Sequence, residues 1–258
     1  MNERTFKNIG YVAGRWPLDP DMPTLVFIHG SGGSSVLWEK QVDELKAYVN
    51  TIALDLPGHG RSSGPGMDSV AEYCVVVADF IETVEVPEPV PCGLSIGGAI
   101  VLQLILEHKT RYKSAILVNT GARLRVKPVI FESIKKNYER FLRTIPAFAA
   151  SEKTDPRKLD SLMADMAKCD PETAFGDFKA CDRFDVTDKL PAIITPVLIL
   201  TAEDDKLTPP KFGVYLKEHI RNASMANIKD AGHLSPLEQP EAFNKVVTDF
   251  LKQENLII

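Results

Sequence analysis

The 258-residue chain has no apolar run approaching the ~20 residues needed to cross a bilayer, which argues against a spanning segment. Its first residues, "MNERTFKNIGYVAGRW", lack the apolar core of a secretory signal, so a cytoplasmic protein is expected. Basic blocks are missing too. With 30 Lys and Arg against 35 Asp and Glu, the net charge of -5 argues against nucleic acid or a membrane surface as partner and favours a small molecule. Cysteine is scarce: Cys74, Cys92, Cys169 and Cys181 lie far apart, without CxxC or Cys/His spacing. Neither a zinc site nor a disulfide framework is indicated, and four reduced, mostly buried thiols are expected. Repeats and low-complexity segments are also lacking.

What is present is alternation. "TLVFIHG" (24–30), "NTIALDLPG" (50–58), "VPCGLS" (90–95), "KSAILVNTG" (113–121), "PVLILTAED" (196–204) and "SMANIKDAG" (224–232) are short apolar runs ending in Gly, Pro, Asp or Ser. Strands buried on both faces of a parallel sheet read this way. Helical patterns lie between them, as in "SVAEYCVVVADFIETV" and "IGGAIVLQLILEHKT". Strand then helix, repeated, predicts an α/β fold with a doubly wound sheet. "TFKNIGYVAG" is expected to add an antiparallel edge hairpin. From about Ala122 to Leu190 no good strand appears, and "KPVIFESIKKNYERFLRTI", "DPRKLDSLMADMAKC" and "DPETAFGDFKAC" read as helices. That stretch is too long for a connecting loop, so a helical cap over the strand ends is expected.

Chemistry concentrates at "CGLSIGG". A G-x-S-x-G match, Gly93, Ser95 and Gly97, at a strand-to-helix junction has the form of a nucleophile elbow, where small neighbours tolerate close backbone approach. A serine hydroxyl needs a base, normally a histidine oriented by a carboxylate. His108 and His219 sit in charged helical patterns, while His29 and His59 precede the serine. His233, in "DAGHLSPLEQP", follows the last strand and is the candidate base. For the acid, "LTAEDDKLTPP" offers Glu203, Asp204 and Asp205, and physics alone leaves Asp204 and Asp205 tied. An oxyanion site needs two backbone amides. Ile96, directly after the serine, can supply one, and Ser31 or Gly32 in the glycine-rich "HGSGG" the other. That loop lacks both the Lys of G-x-x-x-x-G-K-[ST] and the spacing of G-x-G-x-x-G, so a nucleotide site is disfavoured.

Together "FIHGSGGSSVLW", "ALDLPGHGRS", "CGLSIGGAI", "LILTAEDDKLTPP" and "DAGHLSPLEQPEAF" make the chain resemble the α/β-hydrolase superfamily, specifically its lid-bearing carboxylesterase-like members. The resemblance covers nearly the full chain. It implies a mostly parallel sheet of about eight strands, a core of residues 1–121 and 191–258, and a cap of residues 122–190, in one compact domain overall. By position it makes Ser95 the nucleophile, His233 the base, and Ser31 with Ile96 the oxyanion amides. The family's acid usually stands four residues before a proline, as Asp205 does before Pro209, which favours Asp205 over Asp204. No metal or organic cofactor is implied.

Ser95 itself discounts the haloalkane dehalogenases and epoxide hydrolases, which carry an aspartate at the elbow. Gly33 and Leu234 stand where ring-cleavage C–C hydrolases commonly carry Pro and Trp. The expected activity is a carboxylesterase for short to medium acyl esters, with thioesterase, lactonase or C–C hydrolase as alternatives. A ligand-binding protein without turnover is the non-enzyme alternative. Candidate substrate contacts are Gly30, Phe131, Phe141, Arg123 and Arg125, and a basic rim of Arg123, Arg125 and Lys127 suits a coenzyme A thioester. A monomer or homodimer is expected.

Overall fold

A computed structural model describes all residues, 1–258, of the chain. Eight strands form one sheet: β1 (Asn2–Phe6), β2 (Ile9–Ala13), β3 (Thr24–Ile28), β4 (Asn50–Leu54), β5 (Pro89–Leu94), β6 (Ala115–Val118), β7 (Val197–Ala202) and β8 (Ala223–Ile228). Their order is β1-β2-β4-β3-β5-β6-β7-β8. The hairpin β1–β2 joins β4 antiparallel, and every later pairing is parallel. This is an α/β-hydrolase fold.

Strand periodicity of two explains why the apolar runs are continuous. In β3, Val26 and Ile28 enter one core and Leu25 and Phe27 the other. Helices α1 (Glu39–Leu45), α2 (Val70–Thr83) and α3 (Ile96–Glu107) follow β3, β4 and β5 in turn. The faces of α2 and α3 fill the Val26 core, while α1 fills the Leu25 core. All four cysteines are buried and free. No helix is long and apolar enough to cross a membrane.

Between β6 and β7 the chain leaves the sheet and makes α4 (Pro128–Lys136), α5 (Tyr138–Leu142), α6 (Ile145–Ala149), α7 (Asp160–Met166) and α8 (Pro171–Arg183). The long pattern beginning at Lys127 is therefore not one helix. Asn137 takes an extended conformation (φ -167°, ψ 99°), ending α4, and its side chain caps α5 by accepting from the Arg140 amide. Local hydrogen bonding by Asn competes with helix continuation. "DPRKL" likewise begins as a 3-10 turn, Pro156–Leu159, before α7. Ile134, Phe141, Leu142, Ala149, Leu162 and Met166 join the core on the Leu25 side. Burying a large apolar side chain contributes ~1.5–3 kcal/mol, so this excursion is fastened to the sheet domain by ordinary core packing.

The chain ends with α9 (Lys211–His219) after β7, then α10 (Ser235–Glu238) and α11 (Pro240–Gln253) after β8. Phe243, Val247, Phe250 and Leu251 of α11 pack beside α1.

Candidate active site

The C-terminal ends of five parallel strands bring the predicted residues to one edge of the sheet, where open α/β sheets bind ligands. Spatial order there is β3, β5, β6, β7, β8. It sets the "HGSGG" loop beside Ser95, and Asp205 beside His233.

Ser95 joins β5 to α3 with φ 59° and ψ -117°, a left-handed conformation that costs a non-glycine residue ~1–3 kcal/mol. The turn is held on both sides: the Ser95 amide donates to Val118 O at 3.0 Å, and Thr120 Oγ1 donates to Ser95 O at 2.8 Å. Its small neighbours are demanded by crowding. A Cβ on Gly97 would fall onto the carbonyls of Ile28 and His29, and one on Gly98 would meet Thr120 Cγ2 at 2.5 Å. The Ser95 side chain makes no cap hydrogen bond to α3 and is half-buried, leaving its hydroxyl accessible. Ile96 is the first residue of α3, so its amide has no partner within the helix and carries the positive end of the helix dipole.

Gly30 lies against the serine, since a Cβ there would stand 3.6 Å from Ser95 Cβ. The following loop is fixed in part by His29, which sequence order alone had set aside as a base. His29, fully buried, donates from Nδ1 to Gly30 O at 2.8 Å and accepts the Leu56 amide on Nε2 at 3.0 Å. Burial first, and the neighbouring His59 second, push His29 down to about 4, so its ring is neutral near pH 7. Gly33 N also donates to Gly30 O at 3.0 Å. Because N–H and C=O of one peptide plane point opposite ways, pinning Gly30 O aims the Ser31 amide away from it. Gly32 N donates to Asp177 Oδ2 of α8 at 2.8 Å, whereas the Ser31 amide has no protein acceptor.

Consecutive aspartates after β7 face different partners. Asp205 Oδ2 lies 2.9 Å from His233 Nδ1, while Asp204 Oδ2 accepts from Ser151 Oγ at 2.6 Å. Asp205 Oδ1 also accepts the amides of Leu207 and Thr208 at 2.8 and 2.9 Å, and its Oδ2 accepts Thr208 Oγ1 at 2.8 Å. Burial pushes the Asp205 carboxyl up, but His233 and the Thr208 donors outweigh it and hold Asp205 below the usual carboxylate range. An ionised carboxylate only accepts, so His233 Nδ1 donates to it and Nε2 is the ring nitrogen turned from the acid.

His233 is gripped through its backbone. Its amide donates to Ala149 O at 2.6 Å, and the flanking amides of Gly232 and Leu234 donate to the buried Glu238 carboxylate at 2.9 and 3.0 Å. Glu238 also accepts from Ser151 N and Thr154 Oγ1, at 2.8 and 2.6 Å, tying the segment after α6 to the histidine loop. A Cβ on Gly232 would meet Ala149 O at 2.6 Å, which explains the glycine before the histidine.

Asn119 and Thr120, just past β6, touch the serine turn, the acid loop and the histidine loop. Asn119, with φ 44°, donates from Nδ2 to His233 O at 2.9 Å and to Ser235 Oγ at 3.0 Å. Asn119 O lies 2.8 Å from Thr208 Oγ1, where it competes with Asp205 for the one hydroxyl proton. Sequence reading missed this pair; the one available signal was an Asn, a residue that tolerates left-handed backbone, at a strand end.

The candidate substrate contacts separate. Phe141 is 7% exposed and packs edge-on to Phe178 at 5.8 Å. Phe131 meets Phe175 edge-on at 5.3 Å and is half-buried. Arg123 and Arg125 share the single Asp185 carboxylate, at 3.8 and 3.6 Å, which offsets one of their two charges; Lys127 stays exposed.

Comparison with known proteins agrees with this architecture. A family model described as "Alpha/beta hydrolase family" matches residues 25–246. The chain is 27% identical over 243 residues to 3-oxoadipate enol-lactonase 2 of Acinetobacter baylyi, covering 91% of each. It is 26% identical over 248 residues to a pimeloyl-[acyl-carrier protein] methyl ester esterase of Neisseria meningitidis, covering 90% of this chain and 95% of that protein. Among solved structures it resembles a thermophilic esterase with a TM-score of 0.82 at 28% identity, covering 98% of this chain and 97% of that one. The chain belongs to the alpha/beta hydrolase family.

Proposed function

We propose that the protein is a serine hydrolase of carboxylic esters with short to medium acyl chains, acting through an acyl-enzyme on Ser95. The observation that carries this is the Asp205–His233 contact of 2.9 Å at the sheet edge that holds a strained, half-buried Ser95. Ser95 Oγ attacks the acyl carbon while His233 Nε2 takes its proton. Negative charge moves to the former carbonyl oxygen, where the amides of Ser31 and Ile96 stabilise it. Collapse of the adduct breaks the ester C–O bond, and His233 returns the proton to the departing alcohol. Water, deprotonated by His233, then attacks the acyl-enzyme, releasing the acid and restoring Ser95. The reaction so written needs no metal or organic cofactor.

The relatives support an ester or lactone substrate, being a methyl ester esterase, an enol-lactonase and an esterase by name. The helical excursion of residues 122–190 acts in this reading as a cap, and apolar cap side chains such as Phe131 meet the acyl chain. The relatives reported above are esterases or a lactonase by name and none is named a thioesterase, which favours an alcohol over a thiol as leaving group.

The test is a series of p-nitrophenyl esters from acetate to dodecanoate, with an acyl-CoA beside them, on wild type and Ser95→Ala. The reading expects Ser95-dependent turnover that peaks at or below medium chain length and is weak on acyl-CoA. Turnover that survives in Ser95→Ala would refute it.

A further inference from the structure

Beneath the oxyanion loop lies a buried ion pair that the ester mechanism does not use. Asp177 and His59 side chains are both fully buried, with His59 Nε2 2.9 Å from Asp177 Oδ2. His59 Nδ1 lies 3.0 Å from Pro57 O. Both ring nitrogens therefore face pure acceptors, which fits the doubly protonated imidazolium. Asp177 Oδ1 accepts from Tyr73 Oη at 2.6 Å, and Tyr73 Oη in turn accepts the Met67 amide at 2.9 Å. The backbone makes room for this approach: a Cβ on Gly176 would meet Met67 O at 2.7 Å. A buried ion pair is a weak source of net stability, because desolvation of both charges offsets their attraction. Its remaining contact is the informative one, the Gly32 amide at 2.8 Å from Asp177 Oδ2.

We propose that Asp177, carried by α8 of the helical excursion, is a positioning residue for the oxyanion site: it fixes the Ser31–Gly32 peptide plane by accepting the Gly32 amide, with His59 as its counter-ion. Gly30 O, already pinned by His29, fixes the preceding plane. The two anchors hold Ser31 from both sides and leave its amide as the loop's donor beside Ser95. The site is thereby assembled from the sheet and the excursion together, since the carboxylate comes from α8 and the loop from β3. This rests on the serine-hydrolase reading above.

The experiment compares wild type, Asp177→Asn, Asp177→Ala and Ser95→Ala in three readouts: kcat and KM for p-nitrophenyl butyrate, Ki for an alkyl trifluoromethyl ketone, and thermal unfolding. The ketone forms a tetrahedral oxyanion on the serine, so its affinity reports the oxyanion donors. Removing a donor outright costs about 10²–10³ in kcat, and misaiming one costs less. For Asp177→Asn, which keeps the shape, kcat is expected to fall ~10–100-fold, KM to change less than ~3-fold, and ketone Ki to rise by a factor close to the kcat loss. Loss of folding without those effects in the folded fraction would overturn the proposal, as would kcat and ketone Ki both within about twofold of wild type. Absence of Ser95-dependent turnover in wild type would instead overturn the hydrolase reading itself, and this inference with it. Wild type alone supplies a second test, which holds even where both Asp177 variants fail to fold. When the ketone binds, the Ser31 and Ile96 amide resonances are expected to move downfield and Gly32 to stay. A Gly32 shift as large as that of Ser31 would make Gly32 a donor and overturn the assignment.

Discussion

Asp204 and Asp205 are adjacent in sequence and differ in everything that matters to a histidine base. Asp205 holds the His233 tautomer, whereas Asp204 bonds Ser151 across to the excursion. Asp205→Asn should lower kcat by about 10³–10⁴ while preserving the fold, because the wrong tautomer then faces Ser95. Asp204→Asn should stay within about threefold of wild type, as a lost side-chain hydrogen bond costs only ~0.5–1.5 kcal/mol of stability. Steady-state kinetics on one ester decides both. The tie was not resolvable from side-chain chemistry because the loop's path depends on distant partners, the Glu203 amide bonding Ile228 O and the Asp204 amide Ala231 O. Asn119 was invisible for a related reason. It acts on backbone carbonyls and hydroxyls of other loops, which carry no sequence pattern. Asn119→Ala removes the donors to His233 O and Ser235 Oγ, and kcat is expected to fall ~10–100-fold, since displacements near 1 Å in catalytic groups have that order of effect.

Among elements, the strands and α3 were legible because their burial is two-sided and continuous, and the elbow because its glycines are sterically required. Gly97 gives the sharpest case. Its missing side chain lets the start of α3 rest on the carbonyls of Ile28 and His29, backbone atoms that cannot step aside. Gly97→Ala is expected to cost at least the ~1–3 kcal/mol typical of overpacking, read as a lower denaturant midpoint, and to reduce activity by displacing Ser95 and the Ile96 amide together. The excursion was legible as helical, but not in its breaks. Asn137 ends α4 with its side chain accepting from the Arg140 amide, a local alternative that competes with helix continuation. Asp177 and Glu238 were unread as site residues because charged side chains on helices normally face solvent. Here the carboxylates serve loops from other elements, with Asp177 holding the β3 loop and Glu238 the histidine loop.

For the whole molecule, the buried titratable groups set a pH window. His29 stays neutral when folded, with its value pushed from 6.5 to about 4, while the unfolded chain protonates it. The unfolded state thus binds more protons between those values, and stability falls as pH drops from about 6.5 towards 4, with a limiting slope of about 1.4 kcal/mol per pH unit. Asp205, held below the carboxylate range, extends the loss further into acid. His59 has the opposite sign: burial opposes its charge, but Asp177 raises it well above 6.5. Its contribution is complete below 6.5 and disappears as pH rises through the folded value. Maximum stability should therefore lie near neutral pH, and chemical denaturation in steps of pH measures it. His29→Asn should flatten the acid limb between about 6.5 and 4 whatever its effect on absolute stability, and an unchanged limb would remove His29 as its cause.

The central claim concerns one oxygen atom, Ser95 Oγ. Incubating the protein with an alkyl fluorophosphonate, then measuring intact mass and the mass of the peptide containing "CGLSIGGAI", tests it most directly. The expected result is stoichiometric addition of one phosphonyl group on Ser95, loss of esterase activity in parallel, and no addition in Ser95→Ala or in heat-unfolded protein. Labelling at another residue, or an active enzyme left unmodified at Ser95, would contradict the account.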